Sequence, residues 1–176
     1  GQAQGVKFAF DALNQPGLLD QLKKATKGTV DDLGLMKAAV NAKNFKIPLD
    51  QLATYLEFAR RRAQQTGQSV DYLTESIITG LGRESPLILD NLGLSAKAIS
   101  TEFQRTGNFG KAVGNIIRDE LGKMGPEIDT TSDKTARLSA YWENFKEALG
   151  GGLSGTTNAV LDGVNNFLKT ATNTLT

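Results

Sequence analysis

Acid–base chemistry in this chain falls to carboxylates and amines, because histidine and cysteine are both absent. Without imidazole there is no base titrating near neutral pH and no ready ligand for a transition metal. Without thiols there is no disulfide, zinc cage or thiolate nucleophile. What remains is carboxylate or lysine catalysis, or a hard-cation site built from oxygen ligands. Two adjacent acid pairs, Asp31-Asp32 and Asp119-Glu120, are the first candidates. Neighbouring helical residues point about 100° apart, so neither pair converges on a substrate, and both sit near cations. Asp90 is the more interesting acid, lying inside the apolar run Leu87-Ile88-Leu89-Asp90-Asn91-Leu92. The simplest reading is a partly buried carboxylate that accepts a hydrogen bond from a nearby cap or from Arg83. No catalytic, cofactor-binding or metal-ligating residue is assigned.

Two glycine patterns have bland explanations. Gly80-Leu81-Gly82-Arg83-Glu84-Ser85 resembles a phosphate loop only superficially, since a preceding strand and the Gly-Lys-Ser/Thr ending are missing. A helix C-cap followed by a turn accounts for it. Gly110 and Gly114 form a GxxxG pair, but Lys111 and Asn115 accompany them, which points to close packing of water-exposed helices.

Charge is balanced, with 20 Lys plus Arg against 19 Asp plus Glu. That balance argues against a nucleic-acid coat, which needs a field of one sign. The run Arg60-Arg61-Arg62 fans over several helix faces and reads as solvated surface. No apolar run approaches the roughly 18–20 residues needed to span a bilayer. The start GQAQGVK lacks the pattern of a signal peptide and has no methionine. That start and the threonine-rich end at 170–176 are expected to be cut ends of a longer chain.

Helices must position whatever these residues do, because apolar residues recur at three and four and no alternating strand is evident. Phe8 to Lys27 reads as a helix interrupted at Pro16-Gly17. Thr29 is expected to cap the next, with Val30, Leu33, Met36 and Val40 on one side. Pro48 suits the first turn of a third helix, whose stripe is Leu49, Leu52, Ala53, Leu56, Ala59 and Ala63. Glu57 and Arg61 are spaced to pair across one turn. Ser69 caps a fourth helix carrying Val70, Leu73, Ile77, Ile78 and Leu81. Ser85-Pro86 opens a short helix ended by Gly93, Ser95 starts another that runs to Thr106, and Asn108 caps one with Phe109, Ala112, Val113, Ile116, Ile117, Leu121 and Met124.

Thr66-Gly67 recurs at Thr106-Gly107, and Leu49-Asp50-x-Leu52 at Leu89-Asp90-x-Leu92. A spacing near 40 residues is the length of a helix pair, a hint of stacked pairs. The expected fold is therefore all-α: a compact multi-helix domain of short helices at 1–125, a linker at 126–132, and a longer C-terminal helical extension at 133–176 interrupted at Gly150–Gly152. Val160, Leu161, Val164, Phe167 and Leu168 resume the apolar pattern beyond it. In the extension, Leu138, Trp142, Phe145 and Leu149 follow one another at spacings of 4, 3 and 4. That alternation is close to a coiled-coil seam. These four are the candidate partner-binding residues, either as core or as an exposed seam for another helix.

Several stretches together resemble phage tail tape-measure proteins. They are KGTVDDLGLMKAAV at 27–40 followed by NFKIP at 44–48, AQQTGQSVDYL at 63–73, SIITGLGR at 76–83, SPLILDNLG at 85–93, and the block 137–149. The resemblance covers about three quarters of the chain, from Gly28 to Leu149, and is most specific in the central third. It implies a virion structural protein, from a phage or prophage, that helps set tail length and assemble the tail. Such proteins lie in the tail lumen and are expelled during genome delivery. The implied partners are tail-tube and tail-tip or baseplate proteins, tail assembly chaperones and further copies of the chain, and the implied sites are the virion tail and, during assembly, the host cytoplasm. No cofactor and no enzymatic activity are expected. The many Gly and Pro breaks depart from a continuous rod. Two readings of other classes stand beside this one: a helical protein–protein adaptor with an apolar groove near Trp142 and Phe145, and a carboxylate-based cell-wall hydrolase with two acids converging in a cleft.

Overall fold

Several of the helices begin where a short polar side chain takes over a backbone N–H that the helix itself leaves unpaired. Ser69 accepts from Tyr72 N at 3.0 Å, Ser85 from Ile88 N at 3.3 Å, Ser95 from Ala98 N at 3.1 Å and Asn108 from Lys111 N at 2.9 Å. Such a cap is worth about 1 kcal/mol. These bonds are seen in a computed structural model, which describes residues 1–125, 127, 130–150, 168, 169, 172 and 173.

Among the described residues the chain is all-α, with no strand. The elements are α1 (Gln2–Ala12), α2 (Leu18–Thr26), α3 (Asp32–Asn44), a 3-10 turn (Leu49–Gln51), α4 (Leu52–Thr66), α5 (Val70–Gly82), α6 (Pro86–Asp90), α7 (Ala96–Thr106), α8 (Phe109–Lys123) and α9 (Thr131–Gly150). The expected break at Pro16-Gly17 separates α1 from α2. Several boundaries differ from the expectation: α1 starts at Gln2 rather than Phe8, and α9 at Thr131, inside the expected linker. Asp31, not Thr29, caps α3, accepting from Gly34 N at 3.1 Å. Gly28 turns the chain at φ 72°, and Thr29 is spent inside that turn, its buried hydroxyl donating to Thr26 O at 2.6 Å. Pro48 precedes the 3-10 turn rather than α4 itself.

The 40-residue period has a structural counterpart. Gly67 and Gly107 end α4 and α7 in the left-handed conformation, at φ 76° and 70°. Beside each, a threonine hydroxyl donates one turn back: Thr66 to Arg62 O at 3.0 Å and Thr106 to Glu102 O at 2.9 Å. Thr26 does the same to Leu22 O at 2.8 Å, ahead of the turn at Gly28. Three helix pairs result, α2–α3, α4–α5 and α7–α8. The first stacks on the second through α2 on α4 and α3 on α5, and α8 closes the other side of α4 and α5. α1 lies across α3, and α6 bridges α5 and α7.

One continuous core runs through these pairs. Leu22, Leu35, Leu52, Leu56, Phe58, Ile77, Leu89, Leu94, Ile99, Val113 and Ile117 are all completely covered. α9 follows the segment that starts at Met124 and lies against the body. Gly151, Gly152 and the stripe Val160, Leu161, Val164 and Phe167 fall outside the described residues, while Leu168 is in a helical turn and exposed.

Candidate functional site

α9 presents two faces. Asp133, Arg137, Ala140, Tyr141 and Asn144 recur at helical spacing and face the body. Asp133 and Ala140 are buried, and Tyr141 and Arg137 pass within 3.6 Å of the point a Gly28 β-carbon would occupy. The fit is largely polar. Asn144 Oδ1 accepts from Asp32 N at 2.9 Å, Arg137 Nε donates to Lys27 O at 3.3 Å, and Gln64 donates to Asp133. The four candidate residues occupy the adjoining face. Trp142 and Leu149 are 44% and 50% exposed, and Leu138 and Phe145 are half-buried. The rings of Trp142 and Phe145 lie 5.6 Å apart, with Lys146 Nζ 5.9 Å over the indole. This seam is therefore outside the main core, one of the two positions its spacing allowed.

A charged clamp fixes the chain just ahead of α9. Arg60 is 1% exposed. Its Nε donates to Ala25 O at 3.0 Å and its terminal nitrogen to Glu127 Oε1 at 2.6 Å. Lys27 pairs with the same carboxylate, and Arg61 reaches it at 4.0 Å and also binds Gly125 O. Burial pulls the Arg60 pKa down from its ordinary value, against the opposing charges of Asp133 and Glu57. The arginine run is thus not solvated surface. α4 is wrapped on three sides, so an arc that includes position 60 is covered. Arg61 turns to the Glu127 segment instead of pairing with Glu57. Arg62 bonds Gln65 at 2.8 Å and Glu120 at 3.4 Å, with its guanidinium 5.0 Å over Phe58. No spacing rule could have linked Arg60 to an acid so distant in sequence.

The acids divide by location. Asp90 is exposed, not partly buried, because α6 is a single short turn whose covered residue is Leu89. Asp119 and Glu120 are matched by Lys123 at 3.1 and 3.9 Å. Asp32 is matched by Lys23 at 3.3 Å. Asp31 behaves differently. It points into a cleft of about 680 Å³ between α9 and the body, lined also by Asp71, Asp133 and Glu143. Asp31 and Asp71 each place a carboxylate oxygen within 4 Å of the point a Gly34 β-carbon would occupy. Burial raises the Asp31 pKa, and Glu143 and Asp32 raise it further, against the hydrogen bond from Gly34. Burial likewise raises Asp71, helped by Asp31 and Glu75. Asp31 and Asp32, adjacent in sequence, do not converge, whereas the fold brings Asp31 into one cleft with Asp71 and Glu143. Among the described residues no group of three or more acids is disposed to hold a metal ion.

The glycine motifs are absorbed by packing. Gly80 lies within α5, not at its end, and a β-carbon there would sit 2.7 Å from Leu89 Cδ2. A β-carbon at Gly114 would lie 3.5 Å from Tyr55 Oη on α4, whereas one at Gly110 would meet only Asn108 Oδ1; Tyr55 donates to Gly110 O at 3.4 Å. Burial raises the pKa of that phenol. Beside it lies a groove of about 840 Å³ lined by Phe45, Gln51, Phe103, Phe109 and Arg118.

Compared with protein-family models, curated proteins and solved structures, the chain matched none. Among the described residues, no helix is long and apolar enough to cross a membrane.

Proposed function

We propose that this chain is a structural, non-catalytic segment of a phage tail tape-measure protein, in which a compact helical body anchors a helix offered to other tail components. The observation that carries this reading is α9. It is 20 residues long, rests on the body through one face, and turns Trp142 and Leu149 outward on the other. The sequence stretches at 27–48, 63–73, 76–93 and 137–149 support the same family. Partners on this reading are tail-tube, tail-tip and chaperone proteins or other copies of the chain, and the site of action is the tail lumen.

Helix geometry sets the test. In-frame removal of two turns from α9 should shorten tails by about 1.5 Å per residue removed. An equal deletion inside α4 or α5 should block assembly, because those helices form the core. Tails of unchanged length in electron micrographs of the first deletion would remove α9 from the ruler.

The convergence of Asp31 and Asp71 in a cleft favours the hydrolase as the second reading, since raised carboxylate pKa values suit a general acid. Against it, Asp31 is already engaged in capping α3. A peptidoglycan zymogram is expected to show no clearing. Clearing that disappears in Asp71→Asn would put the hydrolase first.

A further inference from the structure

Thr74 departs from the rule that a buried polar group finds a partner. It is 5% exposed on α5, and its hydroxyl has no hydrogen-bond partner among the described residues. Such groups are rare in native structures, and each calls for a reason. A valine of nearly the same shape would avoid the cost of the unmatched hydroxyl. Keeping threonine therefore makes sense where something outside the chain supplies the partner.

Thr74 stands in the wall of a groove of about 480 Å³ between α3 and α5. The lining changes character along its length. Near the start of both helices it is acidic, with Asp31, Asp71 and Glu75. Asp31 spends one oxygen on Gly34 N at 3.1 Å, while Asp71 and Glu75 are open to solvent. Further along, the walls are Ala38 and Ile78, and then Phe45, whose ring packs on Gly82 at the end of α5. Lys37 is the one cation among the lining residues, and it is exposed.

We propose that this groove binds a small primary alkylamine, its ammonium held by Asp71, Glu75 and Thr74 and its hydrocarbon lying along Ala38 and Ile78 toward Phe45. An ammonium carries three N–H donors and no acceptor, so carboxylates and a hydroxyl are its natural partners. The volume falls within the range of small-molecule sites, which pair apolar walls with a few polar groups that fix orientation. A water molecule could meet the hydroxyl, but it would make no use of the excess acid or of the apolar far wall. A bare metal ion fits less well, since among the described residues no three acids are disposed to hold one. The proposal stands on the groove alone and does not depend on the tape-measure reading.

The test uses the whole chain and n-hexylamine hydrochloride near pH 7, with backbone amide shifts as the readout. Saturable shifts are expected in the stretches 31–45 and 71–79. Equal concentrations of sodium chloride, magnesium chloride and tetramethylammonium chloride, which lack N–H donors, should not reproduce them. The double variant Asp71→Asn, Glu75→Gln should weaken binding at least about tenfold, since hydrogen bonds to charged groups are the strong ones. Thr74→Val should weaken it at least about threefold while raising the melting temperature of the free chain. That opposite pair of effects separates a ligand-binding hydroxyl from a structural one. The proposal is overturned if hexylamine gives no saturable shift in these stretches, or if any of the three salts matches it. It is equally overturned if Thr74→Val binds hexylamine like the parent, or fails to gain stability.

Discussion

α4 and α9 are both long helices, of 15 and 20 residues, yet the molecule treats them oppositely. α4 buries Leu52, Tyr55, Leu56, Phe58, Ala59 and Ala63, and even its charged Arg60 is enclosed. Of α9, only Asp133 and Ala140 are buried among the described residues. Length and helical propensity therefore do not decide which helix belongs to the cooperative core. The number of apolar neighbours decides it, since packing supplies most helix stability. α4 lies between α2, α5 and α8, whereas α9 meets the body along one polar edge. Substitutions should be severe around α4 and mild on the outer face of α9.

The severest expected effect is at Ile77, completely covered on α5 where that helix packs against α4. Ile77→Asp would bury an unpaired charge, at a cost of several kcal/mol against a typical net stability of about 5–15 kcal/mol. Most of the helical circular-dichroism signal should be lost at a temperature where the parent is folded. A melting point within a few degrees of the parent would mean that α5 is not core, and the contrast with α9 would collapse.

Next comes the clamp. Glu127→Gln removes the carboxylate that faces Arg60, Lys27 and Arg61, while the Arg60 side chain is only 2% exposed. Breaking a buried pair on one side costs about 3–5 kcal/mol, and Glu127 is partly open to solvent, so about 2 kcal/mol is expected from urea unfolding. The double variant with Arg60→Met should recover part of that loss, because no buried charge is then left unmatched. A single variant as stable as the parent would show that Arg60 is satisfied by Ala25 O alone.

A glycine pair sharpens the comparison inside helices. Gly80→Ala places a β-carbon 2.7 Å from Leu89, which is itself fully covered, so overpacking should outweigh the better helix propensity. A net loss of about 1 kcal/mol is expected. At Gly122, in α8, nothing lies within 4 Å of the new carbon. Gly122→Ala should therefore gain up to about 1 kcal/mol. Equal shifts of the two melting temperatures would contradict this packing.

Most of the helix caps were legible in the sequence, though Thr29 was not the cap of α3 and Arg61 does not pair with Glu57. Ser69, Ser85, Ser95 and Asn108 could be assigned as caps because that interaction spans three residues. The Thr-Gly pairs marked two of the helix ends from which the pairs are built. Arg60, Asp71 and Glu143 could not be placed, since their surroundings come from helices far apart in sequence. Asp90 misled for a related reason: an apolar run of six residues reads as buried, yet a one-turn helix covers one side of itself and leaves Leu87 78% exposed. The outer seam was legible as a pattern and undecided as a location. Spacing fixes which residues share a face, and only the neighbours of that face decide whether it is covered.

That last point gives the mildest prediction. Trp142 touches Phe145 and Lys146 on its own helix, and truncating it removes those contacts and little of the body's core. Exposed aromatic and cation–π contacts of this kind contribute about 0.5–1 kcal/mol, and they are made within α9 rather than between α9 and the helix pairs. Trp142→Ala should therefore leave the body's unfolding midpoint within about 0.5 kcal/mol of the parent. The reporter has to be independent of the single tryptophan, so amide hydrogen exchange across α4 and α5 is the suitable measurement. Unchanged protection there, together with faster exchange along α9, would place Trp142 outside the core's cooperative unit. Faster exchange in α4 and α5 would show that the outer face of α9 is coupled to the body after all, and the division between the two helices would have to be redrawn around a single core.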